Sequence, residues 1–286
     1  MKLPWLPPAH IRILPGRGEI FYRHYQHPDP SRPTLLLLHG WTASADTQWF
    51  AAYEELAEHY SYVAVDHRGH GRGMRSPFTF DDVADDAAML VRSLGISSVV
   101  LVGYSMGGPI ATVLASRHPD LVAGMVFEAT ALEWRAKWWD RMVWKTLGLF
   151  AMWLRSRWHV RGVRAGLRRL GRGSEEFEEL YPWLEGEIRR NDVHGVIEAG
   201  RALAAYDARS LAPTLTVPTA LLLTTRDHLV RPRKQRELAN AVRAHVVELD
   251  GDHLCPIVQP ALFSNATRRL VDDVVSRLPA PSAARS

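Results

Sequence analysis

Short apolar runs recur along this chain, and stretches with the spacing of amphipathic helices separate most of them. The run at residues 35–38 is four leucines with no polar alternation, which is typical of a strand that is covered on both faces. Similar runs follow at residues 62–65, 99–102, 122–127, 220–223 and 246–249. Helical patterns lie at residues 50–59, 81–94, 109–118 and 234–243. Strands that alternate with helices in this way predict an α/β fold with a mostly parallel sheet and helices on its faces.

Two further strands are expected before these runs. Residues 11–14 and 20–25 are strand-like segments on either side of a Pro-Gly-Arg-Gly turn, which indicates a β-hairpin. Together with the six later runs, the hairpin predicts a sheet of eight strands.

The alternation stops between Glu133 and Arg201, where a tryptophan-rich and largely helical pattern takes its place. We therefore predict a core domain in two parts, residues 1–132 and 206–278, with a helical cap inserted at residues 133–205. Residues 279–286 read as a flexible tail. Six of the ten tryptophans are concentrated in the first part of the insertion: Trp134, Trp138, Trp139, Trp144, Trp153 and Trp158.

The positive charge of the chain is also concentrated in this insertion. The formal net charge is +4, but residues 134–172 hold eleven basic residues and one acid, so the rest of the chain is acidic overall. One basic patch on an acidic body argues against a nucleic-acid-binding protein. The apolar stretch at residues 142–154 is much shorter than the roughly 18 residues that span a bilayer. We expect a lid with its arginines in water, with peripheral membrane contact as the alternative.

The number of cysteines and the N-terminal sequence indicate the cellular compartment of the protein. Cys255 is the single cysteine, which excludes an intramolecular disulfide and a thiolate-clustered metal site, and we expect it to be a packed thiol. The first eight residues lack the apolar region of a signal peptide. These features predict a cytoplasmic protein, and they leave monomer and homodimer both open.

A candidate nucleophile stands at the end of the third buried run. The strand at residues 99–102 leads into Gly103-Tyr104-Ser105-Met106-Gly107, and a helical pattern follows. This is a G-x-S-x-G sequence between a strand and a helix, the context in which a sharp turn exposes a nucleophilic serine. A chance match in a turn that binds phosphate is the alternative, and the strand-to-helix context favours the nucleophile.

A serine hydroxyl needs a general base, and the base needs an orienting acid. Asp227 ends the strand at residues 220–223, and His253 follows the strand at residues 246–249, so both candidates lie downstream of Ser105. The rival acids are Glu128 and Glu133, which follow the strand at residues 122–127.

These motifs and their order resemble those of the α/β-hydrolase fold superfamily, over about residues 20–277. The resemblance implies that the backbone N–H groups of Trp41 and Met106 form the oxyanion hole. It implies no cofactor and no metal. For His39, His67 and His70, which lie at strand ends, we expect hydrogen bonds that stabilise turns and no catalytic role.

The resemblance implies a serine hydrolase that cleaves carboxylic esters of an apolar, lipid-like acyl substrate through an acyl-enzyme. Tyr104, Trp144 and Trp153 are the candidate substrate contacts, and the partner is a small-molecule ester. Ser105 in the G-x-S-x-G turn argues against the chemistry of those relatives that use a carboxylate as the nucleophile. Hydrolysis of carbon–carbon bonds and a non-enzymatic ligand receptor on the same fold remain the alternatives.

Overall fold

An eight-stranded sheet forms the centre of the fold, and its strands follow the apolar runs of the sequence. The structure is a computed structural model, and it describes residues 4–134 and 175–279. In chain order the strands are β1 (Ala9–Leu14), β2 (Gly18–Tyr25), β3 (Thr34–Leu38), β4 (Ser61–Val65), β5 (Val99–Tyr104), β6 (Val122–Glu128), β7 (Thr219–Thr224) and β8 (His245–Leu249). The spatial order is β1-β2-β4-β3-β5-β6-β7-β8. Strands β1 and β2 pair antiparallel, β2 pairs antiparallel with β4, and strands β3 to β8 are parallel. The predicted mostly parallel sheet of eight strands is confirmed.

Helices cover both faces of this sheet, as predicted. The described helices, numbered in chain order, are α1 (Ala45–Trp49), α2 (Tyr53–Ala57), α3 (Phe80–Ser93), α4 (Gly107–Arg117), α5 (Glu175–Ile188), α6 (Val193–Ala205), α7 (Pro232–Ala241), α8 (Cys255–Val258) and α9 (Pro260–Ser276). Leu36 and Leu38 of β3 face α3, α4, α6 and α7, whereas Leu35 and Leu37 face α1, α2 and α9. Because successive strand residues point to opposite faces, one run of leucines contributes to both cores.

The helix predicted at residues 50–59 is found only at its centre, as α2, and a further helix, α1, precedes it. The break between α1 and α2 includes a short-range bond from the Ala52 N–H to the Trp49 carbonyl at 2.8 Å. Helix α1 begins earlier because Ser44 and Thr47 form a capping box. The Ala45 N–H also donates to Asp66 at 2.7 Å. The start of α1 is therefore set by its capping box and by the Asp66 carboxylate, and not by the spacing of apolar residues.

The predicted insertion is described only in its second part. Helices α5 and α6 agree with the helical pattern expected there, and Tyr181 and Leu184 of α5 pack with Phe50 and Leu254 of the core. Residues 135–174 lie outside the described residues, so the cap boundaries stay a prediction. None of the described helices is long and apolar enough to cross a membrane.

Candidate active site

Ser105 lies in the sharp turn between β5 and α4. Its φ of 50° falls in the left-handed region, which is costly for a residue with a Cβ. Neighbouring groups hold it there: its N–H donates to the Glu128 carbonyl at 2.8 Å, and its carbonyl accepts from the Thr130 hydroxyl at 2.7 Å. The end of β6 therefore stabilises the strained turn that presents the serine.

Two glycines let the strand and the helix approach each other at this turn. A Cβ on Gly107 would lie 2.1 Å from the Leu38 carbonyl oxygen, and one on Gly103 would lie 2.5 Å from the Gly107 carbonyl oxygen. Both separations are far inside contact distance, so each position requires glycine. The two glycines of the motif are thus explained by packing around Ser105.

The structure brings His253 and Asp227 together with Ser105. The Nε2 atom of His253 lies 2.9 Å from the Ser105 hydroxyl, and its Nδ1 atom lies 2.7 Å from Asp227 Oδ2. His253 follows β8 and Asp227 follows β7, and parallel neighbouring strands carry their ends to one edge of the sheet. The pairing fits an Nδ1–H that donates to the carboxylate and an unprotonated Nε2 that accepts the serine proton.

A dense set of donors surrounds the Asp227 carboxylate. Its Oδ1 accepts from the backbone N–H groups of Leu229 and Val230 at 2.9 and 2.8 Å. Its Oδ2 accepts from the Thr224 hydroxyl at 2.9 Å and from the Gln235 amide at 3.3 Å. The side chain of Asp227 is fully buried, and these donors replace the water that burial removes. Thr224 and Gln235 are not among the residues predicted from the sequence.

The rival acids have other partners. Glu128 is buried and accepts from the Thr267 hydroxyl at 2.8 Å. Burial raises the pKa of Glu128 to about 8. Glu133 pairs with Lys234 at 3.2 Å. The hydrogen bond to His253 is therefore made by Asp227. Glu128 lies in the core, where burial disfavours the charged form of its carboxyl group.

The loop of residues 39–44, here called the oxyanion loop, lies beside Ser105. A Cβ on Gly40 would lie 3.3 Å from the Ser105 Cβ. The Nδ1 atom of His39 is 2.8 Å from the Gly40 carbonyl, and its Nε2 accepts from the His67 N–H at 3.0 Å. Because the Gly40 carbonyl and the Trp41 N–H belong to one planar trans peptide, the histidine sets the direction of that N–H. Met106 is the N-cap residue of α4 and directly follows Ser105.

The three histidines near the oxyanion loop are buried and close together. The rings of His39 and His67 lie 4.0 Å apart, and those of His39 and His70 lie 5.4 Å apart. Burial, and then the neighbouring imidazoles, hold the pKa of His39 well below its usual range, and burial lowers the pKa of His67 to about 3. The His70 ring bonds to the Arg68 carbonyl at 2.9 Å and the His39 ring to the Gly40 carbonyl, both within turns as expected, but the bond from the His67 N–H to His39 joins two separate loops. The turn-stabilising bond expected for the His67 side chain is wrong, because neither of its ring nitrogens has a hydrogen-bond partner among the described residues.

The candidate substrate contacts fall in two places. Tyr104 is 2% exposed, and its hydroxyl donates to the His253 carbonyl at 2.9 Å. Trp144 and Trp153 lie outside the described residues.

Cys255 is buried, as expected, and burial raises the pKa of its thiol to about 12. Among the described residues, no group of three or more His, Cys, Asp or Glu side chains could hold a metal ion.

A profile of the alpha/beta hydrolase fold matches residues 33–260 of this chain. The chain belongs to this family. The match includes Ser105, Asp227 and His253, so the residues that the structure brings together all lie within the alpha/beta hydrolase region. The resemblance of the sequence to the α/β-hydrolase fold superfamily is confirmed.

Individual relatives of this alpha/beta hydrolase are hydrolases by name. A pimeloyl-[acyl-carrier protein] methyl ester esterase of Sodalis glossinidius is 30% identical over 241 residues, which are 81% of this chain and 91% of the relative. A putative esterase/lipase of Haemophilus influenzae is 29% identical over 120 residues, and that match spans only 41% of either protein. The enol-lactonase from Burkholderia xenovorans has the same fold, with a TM-score of 0.77, 24% identity and coverage of 92% of this chain and 100% of that one.

Proposed function

We propose that this chain is a serine hydrolase that cleaves carboxylic esters through an acyl-enzyme intermediate. The observation that carries the proposal is the chain of hydrogen bonds from the Ser105 hydroxyl to His253 Nε2, at 2.9 Å, and from His253 Nδ1 to Asp227, at 2.7 Å. Nucleophile, base and orienting acid in hydrogen-bond contact are the geometry that acyl transfer to serine requires.

The reaction follows from these contacts. His253 takes the Ser105 proton as the oxygen attacks the ester carbonyl, and Asp227 holds the imidazole tautomer and stabilises the imidazolium. The N–H groups of Trp41 and Met106 stabilise the negative charge on the tetrahedral intermediate. His253 then protonates the departing alcohol. A water molecule, deprotonated by the same imidazole, releases the acyl group from Ser105.

We further propose that the substrate is a small molecule with an apolar acyl group. Leu254 follows the proposed base directly and packs in one apolar cluster with residues of α5. That cluster contains Phe50, Leu180, Tyr181, Trp183, Leu184, Leu254 and Ile257. The sequence of the predicted insertion also holds six tryptophans at residues 134–158. The relative from Sodalis glossinidius is by its name an esterase of a pimeloyl-[acyl-carrier protein] methyl ester, so it supports an acyl ester as substrate but not the small size of that substrate.

Turnover of p-nitrophenyl esters tests the proposal. The native protein should hydrolyse them with repeated turnover, and Ser105→Ala should lower kcat by a factor on the order of 10⁴ or more. A fluorophosphonate should label Ser105. Ser93→Ala, at an exposed position of α3, is the matched control and should keep full activity and labelling.

The alternatives give different results. A ligand receptor on this fold would release at most one equivalent of p-nitrophenol and then stop. Labelling of Ser105 without ester turnover would point to another acyl substrate, such as one cleaved at a carbon–carbon bond. Labelling at another residue, or full activity of Ser105→Ala, would contradict the assignment of the nucleophile.

A further inference from the structure

Tyr104 connects the strand of the proposed nucleophile to the loop of the proposed base. Its hydroxyl donates to the main-chain carbonyl of His253 at 2.9 Å, across 149 positions of sequence. We infer that Tyr104 is a positioning residue, which holds the backbone of His253 so that the imidazole meets Ser105. This inference rests on the proposed function, because it assigns the part of Tyr104 in the same reaction.

Four contacts join Tyr104 to the segment that carries the base. Besides the bond to the carbonyl, the hydroxyl lies 3.6 Å from the Cys255 Sγ. The tyrosine ring lies 5.5 Å from the His253 imidazole and packs edge-on against Phe263, with ring centroids 5.7 Å apart. The side chain therefore contacts the base, the residue two positions after it and the helix that follows.

The location of Tyr104 in the chain gives these contacts their effect. Tyr104 directly precedes Ser105, so its Cα cannot move without moving the nucleophile. The hydrogen bond from the Tyr104 hydroxyl then fixes the His253 backbone relative to the backbone of Tyr104 and Ser105. Proton transfer depends on the separation of Nε2 and the serine oxygen, and a displacement of about 1 Å can cost on the order of 10²-fold in rate. A fixed link between the two backbones limits such displacements.

The burial of Tyr104 argues against the substrate contact that the sequence suggested. Only 2% of the residue is exposed, and its hydroxyl is already engaged by the His253 carbonyl. Burial, followed by the neighbouring Cys255, raises the pKa of Tyr104 well above its ordinary value. The phenol therefore stays protonated and keeps donating throughout the pH range of an enzyme assay.

Tyr104→Phe tests the inference, since it removes the hydroxyl and keeps the ring. Tyr62→Phe is the matched control, because Tyr62 is also buried and its hydroxyl donates to the Tyr53 carbonyl at a distance of 2.9 Å. This hydrogen bond does not involve Ser105, Asp227 or His253. Both variants lose one buried hydrogen bond, so their thermal stabilities should fall by similar amounts. Only Tyr104→Phe should lose kcat, by about 10- to 100-fold, with KM within about twofold of the native value. Cys255→Ala, which leaves the bond to His253, should lose less than about threefold.

Two kinetic outcomes would overturn the inference. If kcat is unchanged in both tyrosine variants, the hydroxyl of Tyr104 serves only stability. If KM rises while kcat is kept, Tyr104 contacts the substrate after all.

A measurement without substrate separates this inference from the proposed function. The His253 Nδ1 proton that is shared with Asp227 should give a downfield ¹H NMR signal. That signal should be the same in the native protein and in Tyr62→Phe, and shifted or broadened in Tyr104→Phe. An unchanged signal in all three proteins would refute the positioning role, even if the native protein hydrolyses no ester.

Discussion

The side-chain amide of Asn191 donates to the main-chain carbonyl of Thr42 at 2.6 Å. Its amide oxygen accepts from the Gly71 N–H at 2.7 Å, so one side chain between α5 and α6 joins two loops of the core. Thr42 has a φ of 66°, a conformation that a β-branched residue adopts only when its surroundings impose it. The Trp41 indole also donates to the Val196 carbonyl of α6, at 2.8 Å. Helix α6 and the segment before it thus hold the oxyanion loop at Trp41 and Thr42.

Asn191→Ala should therefore weaken the stabilisation of the oxyanion. We expect kcat for p-nitrophenyl esters to fall by about tenfold, which is less than the 10²- to 10³-fold loss when a donor is removed outright. KM should change little, because the interaction strengthens only in the transition state. Asn240→Ala, at an exposed position of α7, is the control and should match the native enzyme. An equal kcat for both variants would show that the oxyanion loop holds its shape without Asn191.

Asp227→Asn should cost far more activity than Glu128→Gln. Asparagine cannot stabilise the imidazolium and favours the wrong tautomer, so we expect kcat to fall on the order of 10³- to 10⁴-fold. Glu128→Gln keeps an oxygen for the Thr267 hydroxyl and makes no change at His253, so activity should stay within about threefold. Steady-state kinetics on both variants gives the comparison. A dead Glu128→Gln variant beside an active Asp227→Asn variant would reverse the assignment of the acid.

The sheet was predictable from the sequence because local signals define it. Strands buried on both faces need runs of apolar residues, and the turn around Ser105 needs glycines at two fixed positions, so both leave a pattern in the sequence. Asp227 and His253 were also accessible, since parallel strands end at one edge and each residue follows a strand. For these two residues, their place at the end of a strand in the sequence also determines where they lie in the folded protein.

The supporting hydrogen bonds were not predictable in the same way. Gln235 reaches Asp227 from α7, and Asn191 reaches Thr42 across 149 positions of sequence. Such contacts depend on where two separate elements come to lie, and a single glutamine or asparagine carries no periodicity that would mark it. For Tyr104 the sequence suggested a substrate contact, whereas its hydroxyl bonds to the His253 carbonyl. Its place beside Ser105 does not tell on which side of the sheet its ring packs.

The stability of the fold should fall as the pH rises from 4.5 to about 8, that is, between the pKa of Glu128 in the unfolded chain and its pKa in the folded protein. Burial raises the pKa of Glu128 to about 8 from its ordinary 4.5, against a smaller opposing effect of the Thr267 hydrogen bond. A carboxyl group with a raised pKa in the folded state contributes stability below its ordinary pKa and loses it as the pH rises towards the higher value. Each pH unit in this window is worth at most about 1.4 kcal/mol of unfolding free energy.

Glu128→Gln isolates this contribution. Asp66, whose pKa burial raises to about 7, acts with the same sign and remains in the variant, so the native protein and Glu128→Gln must be compared at each pH. Urea unfolding at pH 5 and pH 8 should show a larger loss of stability for the native protein than for the variant. Parallel pH profiles for the two proteins would mean that the pKa of Glu128 is the same in the folded and the unfolded chain.

The tryptophans of the insertion give a prediction about acyl chain length. If Trp144 and Trp153 line an acyl pocket, replacing either by alanine should lower kcat/KM more for long acyl chains than for acetyl esters. Each methylene that loses burial is worth roughly 0.8 kcal/mol, or about fourfold in kcat/KM, so the penalty should grow along a series of p-nitrophenyl esters. Trp5→Ala, which removes an exposed tryptophan of the N-terminal segment, should leave the whole series unchanged.

Membrane docking of the same segment predicts a different pattern. Charge reversal of Arg155, Arg157 and Arg161 to glutamate would then abolish co-sedimentation with anionic vesicles, while turnover of soluble esters would stay nearly constant. Because surface attraction of this kind is screened by salt, binding should also weaken between low and physiological ionic strength. We expect the lid: a penalty that rises with chain length in the tryptophan variants and little vesicle binding by the native protein. A flat chain-length series together with salt-sensitive vesicle binding would establish the membrane role instead.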